Sequence, residues 1–390
     1  MDKRVYLLMT ISFVVGMVEL IISGILDLVA NDLNVSMGQA GLLITIFSLV
    51  FAISAPILLF LTASIERKKL TLIALSTFFI GNLIAIFSFS YTMLFISRII
   101  SAASASILIV LCIMMASSIV QPEYRGRAIG IVSMGVSGSL VFGIPFGLIL
   151  GEAFGWRAPF VLIAILTVLS MVGVYFFMTK IYTSEKPLPL QSQLKMVSSK
   201  SVLFALLTTL FVLAGHTTLY AYLNPFVSEM MNMNGFWLSV VYLAFGIAAV
   251  SGGGAGGALS DHFGPKRTIL TVIILFILAI ISLPFATFNI IIFFVVLIIW
   301  GMMSWAVSPP VQSFLIETAP KNADILVSLN NSALHFGIAI GSFIGSFVIE
   351  KSHVQFNAFV GGVIVLIGLI TSIIALKGYK DKQSLVSSSK

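Results

Sequence analysis

Apolar runs of about 20 residues, each closed by a short polar or charged stretch, recur twelve times along the chain. They cover 5–27, 39–63, 70–88, 92–118, 128–150, 158–179, 202–224, 236–259, 268–286, 290–308, 326–349 and 356–376. About 20 apolar residues in a helix cross the hydrocarbon core of a bilayer. Backbone polar groups cannot be left bare in lipid, so each run is predicted to be a membrane-spanning helix. Two divisions are faint. Residues 70–97 carry no charge and are parted only by "SFSYT" at 88–92, and residues 268–316 only by "ATFN" at 286–289. The expected fold class is therefore all-α, with twelve transmembrane helices.

Composition agrees with that pattern. Only 9% of residues are charged, against about 25% in a soluble domain. The single cysteine, Cys112, lies inside an apolar run, which excludes an intrachain disulfide. No small-residue cleavage site closes the first run, which reads as a retained span and not a signal peptide. The net charge of +7 would suit nucleic acid, but its placement points elsewhere. Of the 21 Lys and Arg residues, all but Arg98, Arg157 and Lys351 lie at the termini or in loops that follow even-numbered spans. Cytoplasmic loops carry such an excess, so both termini are expected inside the cell membrane, with no nucleic-acid partner.

The chain repeats itself at an offset of 198. "LTASIERKKLTL" (61–72) aligns with "LSDHFGPKRTIL" (259–270). Pro122 falls on Pro320, Gly143 and Gly147 on Gly341 and Gly345, and Glu152 on Glu350. Two copies in one orientation imply two pseudo-symmetric six-helix bundles related by an axis along the membrane normal. The boundaries expected are 1–179 and 201–378 for the bundles, 180–200 for a cytoplasmic linker and 379–390 for a cytoplasmic tail. A substrate would bind near the midplane.

Several motifs resemble those of the major facilitator superfamily. The loop signature is kept in the second half as "GALSDHFGPKR", with Gly257, Asp261, Gly264, Lys266 and Arg267. The first half departs from it: Ala63 stands at the Asp position and Glu66 at the Gly position. "SRIISAASAS", with Arg98, resembles the fourth-helix signature. "GSLVFGIPFG", with Gly143, Pro145 and Gly147, resembles the fifth-helix hinge of the 12-helix drug:proton antiporter branch, and "GWR" (155–157) follows it. "VGMVELIISGIL", "LAGHTTLYAYLNPF" and "IIWGMMSWAVSPPVQSFLIE" are similar to stretches of bacterial purine base and nucleoside efflux pumps of the hypoxanthine-exporting kind. The resemblance implies a bacterial cell-membrane carrier, not an enzyme. It would be a monomer that exports purine bases or nucleosides by proton antiport and alternating access, with the proton gradient in place of a cofactor. Drug exporters and sugar exporters share the scaffold and stand as alternatives. A transport-inactive sensor or scaffold is a third, disfavoured by the switch elements the chain keeps.

Glu19 sits alone in the first apolar run and Arg98 in the fourth, at similar depth by a rise of about 1.5 Å per residue. Ionisable residues within spans are expensive and mark coupling or substrate sites. Glu19 is expected to take up a proton in each cycle, the alternative being a permanent ion pair that pins two helices. Arg98 would orient substrate, tune Glu19, or be structural. His216, near the repeat mate of Glu19, suits a proton path or a hydrogen-bonded core position. Tyr220 and Asn224 follow it at intervals of four and are expected to share its face, and Pro225 is expected to break the helix. A planar substrate needs aromatic faces and amide edges. Tyr220, Trp300 and Trp305 could stack on it while Asn224, Asn330 and Asn331 read its edge; packing and interface anchoring are the alternative for the tryptophans. Asn82 and His335 read as internal hydrogen-bonding groups, and His262 and His353 as loop residues without a role. "SGGGAGGALSD" lacks the lysine of a phosphate loop and serves close helix packing. No metal-ligand cluster is visible.

Overall fold

The computed structural model is all-helical and describes residues 2–181 and 199–388. Most of the expected linker lies outside the described residues. Among the described residues, twelve helices are long and apolar enough to cross a membrane. They are Lys3–Gly24, Met37–Leu61, Arg67–Ile86, Tyr91–Ser118, Pro122–Phe154, Ala158–Phe177, Lys200–Tyr220, Phe236–Phe263, Pro265–Ala286, Ile290–Thr318, Ile325–Lys351 and Phe356–Gly378, called here the first to twelfth spans. The last helix continues past its span to Ser388, through most of the stretch expected as a tail. No Pro or Gly follows Gly378 to stop it.

Caps explain where the spans begin. The faint boundary at 88–92 holds because the Ser90 hydroxyl accepts from the N–H of Met93. The one at 286–289 holds because the Asn289 side chain accepts from the N–H groups of Ile291 and Ile292. Ser36 and Gln39 form a reciprocal capping box on the second span. Each device satisfies N–H groups that a helix start leaves without an intrahelical acceptor.

Two spans break inside their apolar runs, and a short helix follows each. The first helix stops at Gly24, and a short helix, Leu26–Asp32, follows. The carbonyls at the break are taken by side chains: Tyr242 Oη donates to Ser23 O at 2.9 Å and Asn224 Nδ2 to Gly24 O at 2.8 Å. The seventh helix stops at Tyr220 and restarts as Leu223–Met231. Pro225 therefore lies in the first turn of the new helix, where its missing N–H costs no helical bond. The break precedes the proline.

The described residues fall into two compact units. One takes the first six spans with Leu223–Val227 and Met233–Leu243; the other takes the rest of the last six. Within each unit the repeat is visible as packing. A Cβ on Gly143 of the fifth span would lie 2.9 Å from Met17 Cγ of the first. One on Gly341 of the eleventh would lie 2.8 Å from the Ala214 carbonyl carbon of the seventh. Just before Pro145 the fifth span widens into a π-helical turn, Ser139–Gly143. Proline cannot donate to the carbonyl four residues back, and a wider turn absorbs that lost bond.

Candidate functional site

In the first unit the chemistry centres on Glu19 and Arg98. Glu19 is half-buried, whereas Arg98 is fully enclosed. Arg98 Nη1 donates to the backbone oxygen of Val18 at 2.8 Å. The guanidinium carbon stands 4.1 Å from the ring centroid of Phe47, on the second span. Arg98 Nε and Nη2 have no hydrogen-bond partner. The Arg98 charge acts on Glu19 and the Glu19 charge acts on Arg98. A ring face and a carbonyl fix the guanidinium beside the acid while leaving two of its donors uncommitted. The acid thus has a counter-charge that is anchored to the backbone one residue before it. Sequence spacing suggested the two charges; nothing in it singled out Phe47.

The second unit holds an aromatic cluster. The His216 ring stacks on Tyr220 at 5.0 Å and on Phe245 at 5.8 Å, and reaches Trp300 at 5.3 Å. All four are buried, and neither His216 Nδ1 nor Trp300 Nε1 has a hydrogen-bond partner. These groups give a buried, polarizable cluster of tilted rings with two unclaimed polar atoms. Trp305 is half-buried and Asn331 exposed. Asn330 is buried; its Oδ1 accepts from Thr209 Oγ1 at 2.6 Å and its Nδ2 has no partner.

Asn224 does not continue the face of His216 and Tyr220, because the straight helix ends between them. Its amide donates at 2.8 Å to Gly24 O and at 2.8 Å to Asp27 Oδ1, all within the first unit. Nothing in the sequence singled out Asp27, which lies eight residues beyond Glu19. Burial raises its pKa above the ordinary carboxylate range; the N–H groups of Leu28 and of Asp27 itself, and the Asn224 amide, partly offset that.

The signature residues occupy definite places. Gly264 turns the chain between the eighth and ninth spans at φ +82°. Asp261 and Arg267 are exposed there, Lys266 is half-buried, and Gly257 lies near Pro309. Gly143, Pro145 and Gly147 are buried. In the first half, Glu66 caps the third span. Its carboxylate accepts from the N–H groups of Lys68, Lys69 and Ile181 at 2.7, 2.9 and 2.8 Å. The departure from the loop signature thus has a local structural role. "GWR" also gains one: Trp156 Nε1 and Arg157 Nη1 each donate to Asp32 Oδ2 at 2.8 Å. Arg157 Nη2 donates to Ser88 O at 2.7 Å. Among the described residues, no group of three or more His, Cys, Asp or Glu could hold a metal ion.

Comparison with known proteins bears on this arrangement. The family model described as Major Facilitator Superfamily matches residues 8–331. The MFS-type transporter YbcL of Bacillus subtilis is 37% identical over 98% of this chain and 97% of its own length. YtbD of the same organism is 28% identical over 91% of this chain and 90% of its own. A bacterial homolog of the human lysosomal transporter Spinster, solved inward-facing and occupied, matches with a TM-score of 0.81. The identity is 16%, over 96% of this chain and 97% of that one. A D-xylose-proton symporter matches with a TM-score of 0.76 at 15% identity, over 95% and 96%. Those two structures speak for the fold alone. Twelve spans, the matched family and a full-length relative converge: the chain belongs to the Major Facilitator Superfamily and is a multi-pass membrane transporter, a carrier and not an enzyme.

Proposed function

We propose that this transporter exports small planar metabolites, purine bases or their nucleosides, in exchange for protons, with both termini in the cytoplasm. The observation that carries the proton half is the half-buried Glu19 beside a guanidinium anchored to Val18 O and Phe47. An acid in this setting can be neutralised and recharged while its counter-charge stays in place. The planar-substrate half draws on the resemblance to purine efflux pumps. It also draws on the His216–Tyr220–Trp300 surface, which offers aromatic faces and unclaimed polar atoms to a heteroaromatic ring. The orientation follows from the Lys and Arg bias. A membrane potential supplies about 2.3 kcal/mol per charge per 100 mV, so one entering proton can drive a neutral substrate outward some tens-fold.

Inside-out vesicles test the reading. Labelled hypoxanthine and adenosine should accumulate when an imposed pH difference drives protons out of the lumen, and a lipophilic cationic dye should not compete. Flat competition by unrelated cations would make the chain a drug exporter. Accumulation of sugars alone would make it a sugar exporter.

A further inference from the structure

The first unit contains an acid that the account above does not use. Asp27 lies just beyond the first span, on the short helix Leu26–Asp32, and is half-buried. It accepts from Asn224 Nδ2, whose second N–H goes to Gly24 O. Beside it, Tyr242 Oη closes onto Ser23 O. These three bonds hold segments 223–227 and 233–243 against the end of the first span.

We propose that Asp27 is a second proton-binding group of the transport cycle and that Asp27 with Asn224 forms a proton-operated latch. In that latch the protonated acid keeps segments 223–227 and 233–243 docked, and the ionised acid releases them. The proposal rests on the proton-exchange reading for the side that Asp27 faces, which is the outer side when the termini are inside.

The charges around Asp27 favour this sense. Its negative charge acts on Glu152, the exposed acid at the end of the fifth span, whose carboxylate reaches the N–H of Gly235. A Cβ on Gly235 would lie 3.4 Å from Glu152 Oε2. Two acids thus flank the docked segments from two different elements, each accepting from them, and each raises the cost of ionising the other. Asp32, on the same short helix as Asp27, is already engaged by Arg157 and Trp156. Asn224 contributes a neutral amide, which donates to Asp27 whether or not the acid carries a proton and only partly offsets the effect of burial. Docking removes Asp27 from water, and burial is the largest influence holding its carboxyl above the ordinary range. A state that binds a proton more tightly is populated more as pH falls, so acid on that side favours the docked form. In exchange transport, arrival of an outside proton would then close the outer side behind it.

Distances between spin labels at Phe89 and Phe236, both highly exposed, read docking directly in the full chain, with Cys112→Ala as background. Between about pH 8, where a carboxylate is ionised, and about pH 4, at the ordinary carboxylate value, the short-distance population is expected to rise. Asp27→Asn keeps the acceptor and loses the charge, so it should hold the short distance at both values. Asp27→Ala should give the long, broad distribution at both. A parent protein that ignores pH would overturn the proposal, and so would an Asp27→Asn variant that tracks pH as the parent does. Glu19→Gln should leave the distance response intact. If Glu19→Gln abolishes it while Asp27→Asn keeps it, the sensor is Glu19 and the latch is wrong, although proton exchange stands. If vesicles show no proton coupling but Asp27→Asn fixes the distance, the latch stands without the exchange reading.

Discussion

Arg98 Nη1 donates a 2.8 Å hydrogen bond to the carbonyl oxygen of Val18, the residue immediately before Glu19. The cation of the fourth span is thereby tied to the backbone of the span that carries the acid. Phe47 covers the guanidinium at 4.1 Å. An arginine held by a carbonyl and a ring cannot follow the carboxylate as it loses or gains a proton. It provides a standing field in which Glu19 titrates.

Removing the cation alone should therefore cost more than removing the pair. Arg98→Ala leaves a partly enclosed carboxylate without its counter-charge and should lower stability. The double variant Glu19→Gln/Arg98→Ala should recover part of that loss. Unfolding midpoints of the four proteins in detergent give the coupling directly, and strict additivity would show that the two charges do not support one another. Arg98→Lys should fold but transport poorly, because a single ammonium cannot reproduce the planar contact with Phe47 and the bond to Val18 together.

The capping acid of the third span gives a local test. Glu66→Ala should destabilise the purified protein by about 1 kcal/mol, the usual cost of a lost N-cap, and Glu66→Gln by less, because the amide oxygen still accepts. Burial raises the Glu66 pKa, but the N–H groups of Ile181, Lys68 and Lys69, with Lys180 nearby, outweigh it and the net shift is downward. A carboxylate held low stabilises the fold above its ordinary pKa and withdraws that support as pH falls through the lower folded-state value. The part due to Glu66 should begin to fade below about pH 4 and be gone once pH has passed the lower folded-state value. An acid-unfolding profile identical in Glu66→Ala and the parent would contradict this.

Asp32 behaves the same way on a weaker footing. Trp156 and Arg157 donate to it and hold its carboxyl below the ordinary range. Arg157 and Asp32 keep 34% and 49% of their side-chain surface exposed, so solvent screens the pair. Asp32→Asn should cost less than about 1 kcal/mol, with a difference that shrinks further in high salt. A large, salt-insensitive loss would mean that the residue does something other than fasten the loops at Trp156 and Ser88.

Glycine packing separates the two halves. A Cβ on Gly341 meets main chain of Ala214, which cannot move aside, whereas one on Gly143 meets side-chain atoms first, Met17 Cγ and Ser139 Cβ. Gly341→Ala should cost about 1–3 kcal/mol, as overpacking does, and Gly143→Ala less. Gly253, with no atom within 4 Å of an added Cβ, should accept alanine without loss. Thermal unfolding in detergent ranks the three, and an inverted order would refute the packing argument.

Much of the architecture was legible along the chain because apolar run length and the period-198 landmarks are properties of single residues in order. Even the faint boundaries at Ser90 and Asn289 carried their capping side chains in plain view. What stayed hidden depends on partners far apart in sequence. The apolar run 202–224 gives no sign that the helix stops at Tyr220, since the break is stabilised by Asn224 reaching Gly24 and Asp27. The Arg98 setting is hidden for the same reason: one contact is a backbone oxygen and the other an ordinary phenylalanine among 32. Glu66 looked like a defect in the loop signature, and only the position of Ile181 gives it a function.

Purified protein in sealed proteoliposomes, assayed for substrate accumulation against an imposed pH difference, measures the role of Glu19 most directly. Glu19→Gln should still exchange labelled for unlabelled substrate at equilibrium while failing to concentrate it. If that variant concentrates substrate as the parent does, the proton travels by another route and the assignment of Glu19 is wrong.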